Sequence, residues 1–168
     1  MRLRFVLVAL ALALSPGLAT AQGTDISLGA LVVDSKLPVQ VTADQLRVAQ
    51  ADGTATFDGN VLVIQGDMRL SADRVGVEYV LENGQPTRRI ARMQAEGKVL
   101  LVNGSEAAEG QRATYDIEAS TLVMTGDVLL TQGGNTVSGQ SLSINLKTGA
   151  GQMQGRVKTV FSPQGGAE

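Results

Sequence analysis

The side chains in this chain that could do chemistry are few, and most are of one kind. Arg88, Arg89 and Arg92 form its only basic cluster, and planar guanidinium forks pair well with phosphate oxygens. The same cluster equally suits a solvated hairpin tip, where isolated charges usually lie. Asp44 and Asp73 fall at equivalent places in two repeated segments, while the third has a displaced Glu109 and the fourth Gln140. A carboxylate that recurs at a corner reads as a turn former rather than as a catalytic acid. The Gly133-Gly134-Asn135 stretch resembles neither a phosphate loop nor a calcium-binding repeat, since no helical pattern follows and the acidic positions are missing. Histidine is absent, which removes the commonest metal ligand and the commonest general base near neutral pH. No nucleophile, base and orienting group can be assembled. The chain is therefore expected to be no enzyme, with no catalytic residue, no metal site and no cofactor.

What remains is apolar surface, and its organisation is periodic. Phe57 to Gly66, Ala95 to Gly104, Met124 to Gly133 and Met153 to Phe161 repeat one pattern, a glycine followed two residues later by valine. The glycines Gly59, Gly97, Gly126 and Gly155 are spaced by 38, 29 and 29 residues. The period is therefore about 29, with a nine-residue insertion at about Glu82 to Ile90. Fixed periods of this size mark stacked architectures in which each unit completes its neighbour's core. Within each unit apolar residues alternate with a period of two, which is the strand signal.

The alternation defines an inward set: Phe57, Val61, Val63, Met68, Leu70, Val75, Val77, Tyr79, Met93, Val99, Leu101, Tyr115, Met124, Val128, Leu130, Leu142 and Ile144. Its parity shifts twice per repeat, at a glycine turn and at an Ala-Asp corner, as turns and bulges require. Small residues at Ala43, Ala72, Gly110 and Gly139 suit a bend between two sheets. The pattern predicts an all-β rolled sheet of roughly 16 short antiparallel strands, open at both ends. Asn83-Gly84 and Pro86 place an extended hairpin tip in the insertion. Leu62, Ile64, Leu100, Val102 and Leu129 are apolar on the opposite face. They fit either a strand buried on both sides or an exposed surface for self-association.

The ends of the chain bear on location. Arg2, Arg4, the apolar run Phe5 to Leu14 and Ala19-Thr20-Ala21 read as a cleaved export signal over residues 1–21. Ten apolar residues are short of the roughly 20 that span a bilayer. A domain over residues 22–161 and a tail over 162–168 are expected to follow. Zero cysteines means no disulfide framework, so stability must come from ladders and apolar burial. Without Arg2 and Arg4, 12 of the 14 basic residues face 16 acidic ones, a net charge of −4. Such acidity argues against nucleic acid as a partner. With only Phe57, Tyr79, Tyr115 and Phe161 as aromatics beyond the signal, stacking platforms for sugars or bases are not expected.

Three segments in order carry a resemblance: Pro38-Val39-Gln40-Val41-Thr42-Ala43-Asp44, then Phe57-Asp58-Gly59-Asn60-Val61, then Leu70-Ser71-Ala72-Asp73. Over about Leu37 to Phe161 the chain resembles the OstA-like domain family. The resemblance implies a twisted β-jellyroll that carries lipopolysaccharide across the periplasm from the inner to the outer membrane. It also implies as partners lipopolysaccharide (its lipid A part), the OstA-like domains of the inner-membrane and outer-membrane components, and further copies stacked head to tail. Of the proteins sharing the domain, the free periplasmic kind is expected, since a cleavage site follows the short apolar run and no barrel segment follows Phe161. On that reading the inward set lines an acyl groove, Met68, Met93, Met124 and Met153 give adaptable contacts, and Arg88, Arg89 and Arg92 are candidates for headgroup phosphate. The alternative for the inward set is a solid core, and for the whole chain a structural or adhesive β-solenoid.

Unpaired strand edges at the two ends of such a roll invite strand addition. Arg156 to Phe161 is the expected edge at one end, with Ile26 to Val33 as the edge at the other.

Overall fold

Two consecutive left-handed residues bend every second strand of this chain at its middle. The computed structural model describes residues 24–27, 34 and 36–162; the expected export signal and residues 163–168 of the tail lie outside them. Gly59 and Asn60 have φ of 79° and 47°, Gly97 and Lys98 79° and 47°, Gly126 and Asp127 87° and 49°, Gly155 and Arg156 81° and 48°. In the ladder, Asp58 pairs Arg74 and Val61 pairs Ala72, so Gly59-Asn60 stands against Asp73 alone. This is a β-bulge, which turns the strand and increases its twist.

Between the bulged strands run unbulged ones, and the side chains of Asp44, Asp73, Gln111 and Gln140 lie over Gly59, Gly97, Gly126 and Gly155. The third member of this corner set is therefore Gln111, not the displaced Glu109. Ala72, Gly110 and Gly139 sit opposite Val61, Val99 and Val128. A Cβ on Gly139 would come within 2.9 Å of the Gln154 carbonyl oxygen, which accounts for small residues there.

In chain order the strands are β1 (Thr24–Ser27), β2 (Gln40–Thr42), β3 (Gln45–Ala49), β4 (Thr54–Gln65), β5 (Met68–Glu82), β6 (Gln85–Asn103), β7 (Glu106–Asp116), β8 (Thr121–Gln132), β9 (Asn135–Asn145), β10 (Ala150–Gln154) and β11 (Lys158–Val160). All pair antiparallel in one open sheet, ordered β1-β10-β9-β8-β7-β6-β5-β4-β2, with β3 also on β4 and β11 also on β9. The roughly 16 short strands expected from the parity shifts are 11 among the described residues, because β4 to β9 run unbroken through the corner. Only at the two ends does the corner divide a strand, into β2 and β3 and into β10 and β11.

The corner folds the sheet into two facing leaves. One leaf carries the inner row Leu46, Phe57, Val75, Ala95, Ala113, Met124, Leu142, Met153, each paired with the next across the ladder. The other carries Val41, Val63, Leu70, Leu101, Ala108, Leu130, Val137, Thr159 in the same manner. Leu101, Met124, Leu130, Leu142, Ile144 and Met153 are fully buried, each stabilising by about 1.5–3 kcal/mol relative to exposure. The rows thin out at one end: Leu46 is 56% and Val48 64% exposed, because no strand lies beyond β3 among the described residues.

Three expectations are corrected here. Leu62, Ile64, Leu100 and Val102 are only half-buried and Leu129 is 36% exposed, so these strands are not buried on both sides. Ser71, Glu109 and Ser138 separate Leu62, Leu100 and Leu129 across the ladder, so no continuous apolar surface forms either. The Asn83-Gly84 hairpin does form, with φ of 52° and 76°, but it does not stand free. Leu81 and Pro86 close over Gly53, and Tyr79 N–H donates to the Gly53 carbonyl at 2.9 Å. Finally, Ile26 and Ser27 lie in β1 beside β10, at the C-terminal end of the sheet. The opposite edge is β2 and β3; Leu28 to Val33 lie outside the described residues.

The corner yields a contrast in stability. A Cβ at Gly97 would meet the Cβ of Asp73 at 2.9 Å, whereas one at Gly84 meets nothing within 4 Å. Gly97→Val is expected to cost about 2–4 kcal/mol, from left-handed strain plus the clash, and Gly84→Ala about 1 kcal/mol. Urea unfolding followed by circular dichroism measures both, and adding Asp73→Ala to Gly97→Val should recover part of the loss.

Candidate functional site

The inner faces of the two leaves hold the inward set predicted from the alternation. Val61, Val63, Met68, Leu70, Val75, Val77, Met93, Val99, Leu101, Tyr115, Met124, Val128, Leu130, Leu142 and Ile144 are all buried. Phe57 and Tyr79 are partly buried and pack against them. Ala95 and Ala113, which fall at the same repeat positions as Phe57 and Leu46, belong to the same interior, as do Leu122 and Leu146, which were missed. Leu122 had a signal, since it lies 29 residues after Met93.

These side chains largely fill the space they enclose. Between the leaves, Val63, Met68 and Leu70 of one face Val75, Met93, Ala95, Ala113, Tyr115 and Leu122 of the other around a cavity of about 20 Å³. That volume is close to what one water-sized body occupies. In this conformation the interior is a packed core with a small gap, not an open trough.

Opposite the corner the leaves meet along a seam, and there the bonding changes character. No strand ladder joins them among the described residues. Buried polar side chains line the rim instead: Gln65 at 1%, Asn103 at 6% and Glu106 at 7% exposed. Tyr115 Oη donates to Gln65 Oε1 across the seam at 3.4 Å, a long and weak bond. Burial pushes the Tyr115 phenol above its ordinary pKa, so it stays a neutral donor. Gln65 Nε2 donates to the Leu37 carbonyl at 3.1 Å. Further along, Gln132 Nε2 donates to Glu106 Oε1 at 2.8 Å and to the Ser27 carbonyl at 3.0 Å. The other Glu106 oxygen is buried without a hydrogen-bond partner.

Outside the seam lies a surface cleft of about 1030 Å³, and Gln65 lines it as well. The Gln65–Tyr115 pair therefore separates the wet cleft from the apolar interior. Across the cleft, Lys36 and Val39 face Glu78, Val80, Arg88, Arg89, Ile90, Arg92, Asp116 and Glu118. The sequence-predicted arginines are thus brought to the rim, but two of them already have carboxylate partners. Arg89 pairs with Glu82, and Arg92 lies 3.6 Å from Glu78 and 3.7 Å from Asp116. Arg88 has no ion pair among the described residues. Lys36, far from the cluster in sequence, completes the rim from the other leaf. The rim thus gathers Lys36 and the three arginines among the carboxylates Glu78, Asp116 and Glu118, with the apolar interior beyond the Gln65–Tyr115 pair.

Comparison with known proteins agrees with this architecture. Residues 40–150 match the family model described as LptA/(LptD N-terminal domain) LPS transport protein. The chain is 31% identical over 153 residues to an uncharacterised protein of Rhizobium meliloti (strain 1021), covering 87% of this chain and 82% of that one. It is 26% identical to the lipopolysaccharide export system protein LptA of Escherichia coli (strain K12), over 70% of this chain and 65% of that one. The crystal structure of LptH, the LptA-homologous periplasmic component of the lipopolysaccharide transport device of Pseudomonas aeruginosa, superposes with a TM-score of 0.68. That likeness is at 19% identity and covers 77% of this chain and 99% of that one, and it establishes the β-jellyroll fold. An interior built from two apolar leaves, with the family match over most of the repeat, places the chain: it belongs to the LptA/LptD N-terminal domain family of lipopolysaccharide transport proteins.

Proposed function

We propose that this protein is a non-enzymatic periplasmic carrier that moves lipopolysaccharide from the inner to the outer membrane during outer-membrane assembly. The observation that carries the reading is the seam, where two apolar leaves meet without a ladder beneath a cleft rimmed by Lys36, Arg88, Arg89 and Arg92. Acyl chains enter there by parting the leaves, and the seventeen inward residues, from Phe57 to Ile144, sheath them. Shelter is necessary, because an acyl chain with about 12 methylenes costs on the order of 10 kcal/mol to expose to water. Export by the signal at residues 1–21, cleaved to leave a domain over 22–161 and a tail over 162–168, supplies the compartment. Headgroup phosphate pairs with Arg88, which has no carboxylate to leave, and more weakly with Arg89 and Arg92.

The same reading includes handing lipid along a row of like domains. The edge strands β2 and β3 expose Leu46 and Val48, while at the other end Val160 is 49% and Phe161 76% exposed. Head-to-tail strand addition would cover both, linking copies to one another and to the OstA-like domains of the inner-membrane and outer-membrane components.

One observation favours the rival reading, a structural roll without a lipid ligand: the gap enclosed around Val63, Met68 and Tyr115 measures only about 20 Å³. Photo-crosslinking separates the two. A photoreactive residue at Val63, Leu101 or Ile144 is expected to form adducts with lipopolysaccharide in cells, while one at the outward Ser138 stays silent. Silence at all the inward positions, with no lipid found by mass spectrometry of the purified protein, would leave the structural roll.

Two variants test the surface parts. Arg88→Ala should weaken lipopolysaccharide binding about fivefold, as loss of one exposed charge-assisted contact implies, and more at low than at high salt. A Leu46→Asp/Val48→Asp pair should abolish concentration-dependent self-association in sedimentation velocity while leaving the circular dichroism spectrum unchanged, because both side chains are already exposed.

A further inference from the structure

The strand that ends the sheet on its C-terminal side is the first in the chain. β1 pairs antiparallel with β10, from Thr24 opposite Met153 to Ser27 opposite Ala150. The repeat shows what that position is. Ala150 to Met153 stand, three repeats on, where Thr54 to Phe57 stand in β4, at the spacings of 38, 29 and 29 residues. β9 holds on β10 the place of β3 on β4; on the other edge of β4, Thr54 to Phe57 pair with Glu78 to Val75 of β5, whose counterpart one 29-residue repeat earlier is β3. β1 therefore lies on β10 in the place that β5 holds on β4, with Ile26 where Val77 stands and Asp25 where Gly76 stands; one repeat earlier, in β3, those places are Val48 and Arg47.

A second copy stacked head to tail would continue the sheet in this same register, its β3 on β10 and its β2 on β11. The outer edge of β11 carries no strand among the described residues, but that of β10 is taken. We propose that β1 is a self-capping strand that imitates β3 and must leave β10 before another copy, or another domain with the same edge, can add there. The proposal rests on the stacking reading above.

The physical balance suits a removable cap. β1 has four residues on one leaf only, with Ile26 as its single apolar contact to the core. Beyond the ladder it is held by Gln132 Nε2 donating to the Ser27 carbonyl at 3.0 Å and by Gln152 Nε2 donating to Asp25 at 3.5 Å. The incoming edge has three residues in β2 and five in β3, engages both leaves, and brings Val41, Leu46 and Val48. It makes more of every kind of contact. The cap's advantage is that it is tethered, so it competes at high effective concentration. A lone copy thus keeps half of its sticky edge covered by a strand too short to recruit others, and stacking begins only where copies or partner domains are concentrated.

The absence of cysteine allows a clean test. Asp25 and Gln152 are direct ladder partners, so Asp25→Cys/Gln152→Cys in the mature chain can lock β1 in place by a disulfide. Sedimentation velocity across a concentration series should show the oxidised protein stacking at least about tenfold more weakly than the same protein reduced. Ile26→Asp, which loosens the cap without touching either stacking edge, should strengthen stacking severalfold. Equal stacking of oxidised and reduced protein, or weaker stacking by Ile26→Asp, would overturn the capping role while leaving the stacking reading in place. Monomers in every form at millimolar concentration would overturn both.

Discussion

The double left-handed corner is the constraint on which the rest depends. A single open sheet of this length, if flat, would leave one whole apolar face in water. Gly59, Gly97, Gly126 and Gly155, each followed by a second residue at positive φ, bend the sheet along one line so that it covers itself. A polar side chain from the neighbouring strand fills the space over each glycine, so the corner is a packed ridge. Because it repeats in register across the strands, the cross-strand rows on the two leaves come opposite each other. Burial follows from that alignment, and so does the seam, since a sheet folded along one line has an unbonded side.

The ends of the roll follow from the same geometry. A repeat that buries its apolar face only against its neighbours has unfinished business at the first and last repeat. Here the two ends are unequal. At β2 and β3 the inner row runs out into water, and Leu46 and Val48 show it. At β10 the row ends on Met153, fully buried, because β1 comes back across the chain to cover it. Asp58 steadies the exposed end. It accepts from Arg47 of β3 at 2.8 Å and from Arg74 of β5 at 2.6 Å, and the latter bond raises the Arg74 pKa above its ordinary value. Three strands are thereby tied at the surface without any apolar cover.

The legible parts of this structure were those that recur. The glycine spacing marked the corner, and the parity shifts placed nearly every buried side chain, including the buried Met93 and Tyr115, on the correct face. Periodicity says nothing, however, about which member of a column is terminal. Leu46 and Val48 stand one 29-residue repeat before Val75 and Val77 yet lie in water, since exposure there is decided by a neighbour missing among the described strands rather than by residue type. Thr24-Asp25-Ile26-Ser27 carries no repeat signature, and its partner lies more than a hundred positions away, so its place was illegible. The ion pairs of Arg89 and Arg92 depend on how the inserted hairpin folds back over Gly53, which is a tertiary matter. Whether the interior is hollow or full was equally hidden, because the same Val, Leu and Met residues line either.

That fullness bears on how such an interior could serve transport, as proposed. A preformed tunnel wide enough for hydrocarbon would itself be costly when empty, since its lining would lose dispersion contacts on one side. A closed roll avoids that cost and meets the ligand differently. When an acyl chain slides between the leaves, apolar side chains exchange contact with one another for contact with hydrocarbon, and little apolar area returns to water. The ladders within each leaf and the packed corner stay intact. What must yield is the seam, and there the direct bond between Tyr115 and Gln65 is long. On the proposed reading, the barrier to opening rests with a few side-chain bonds at the rim and the affinity with area along the leaves. Separating those two quantities lets a carrier hold lipid without trapping it, because the same rows of Val, Leu and Met recur at each repeat and give no single deepest station.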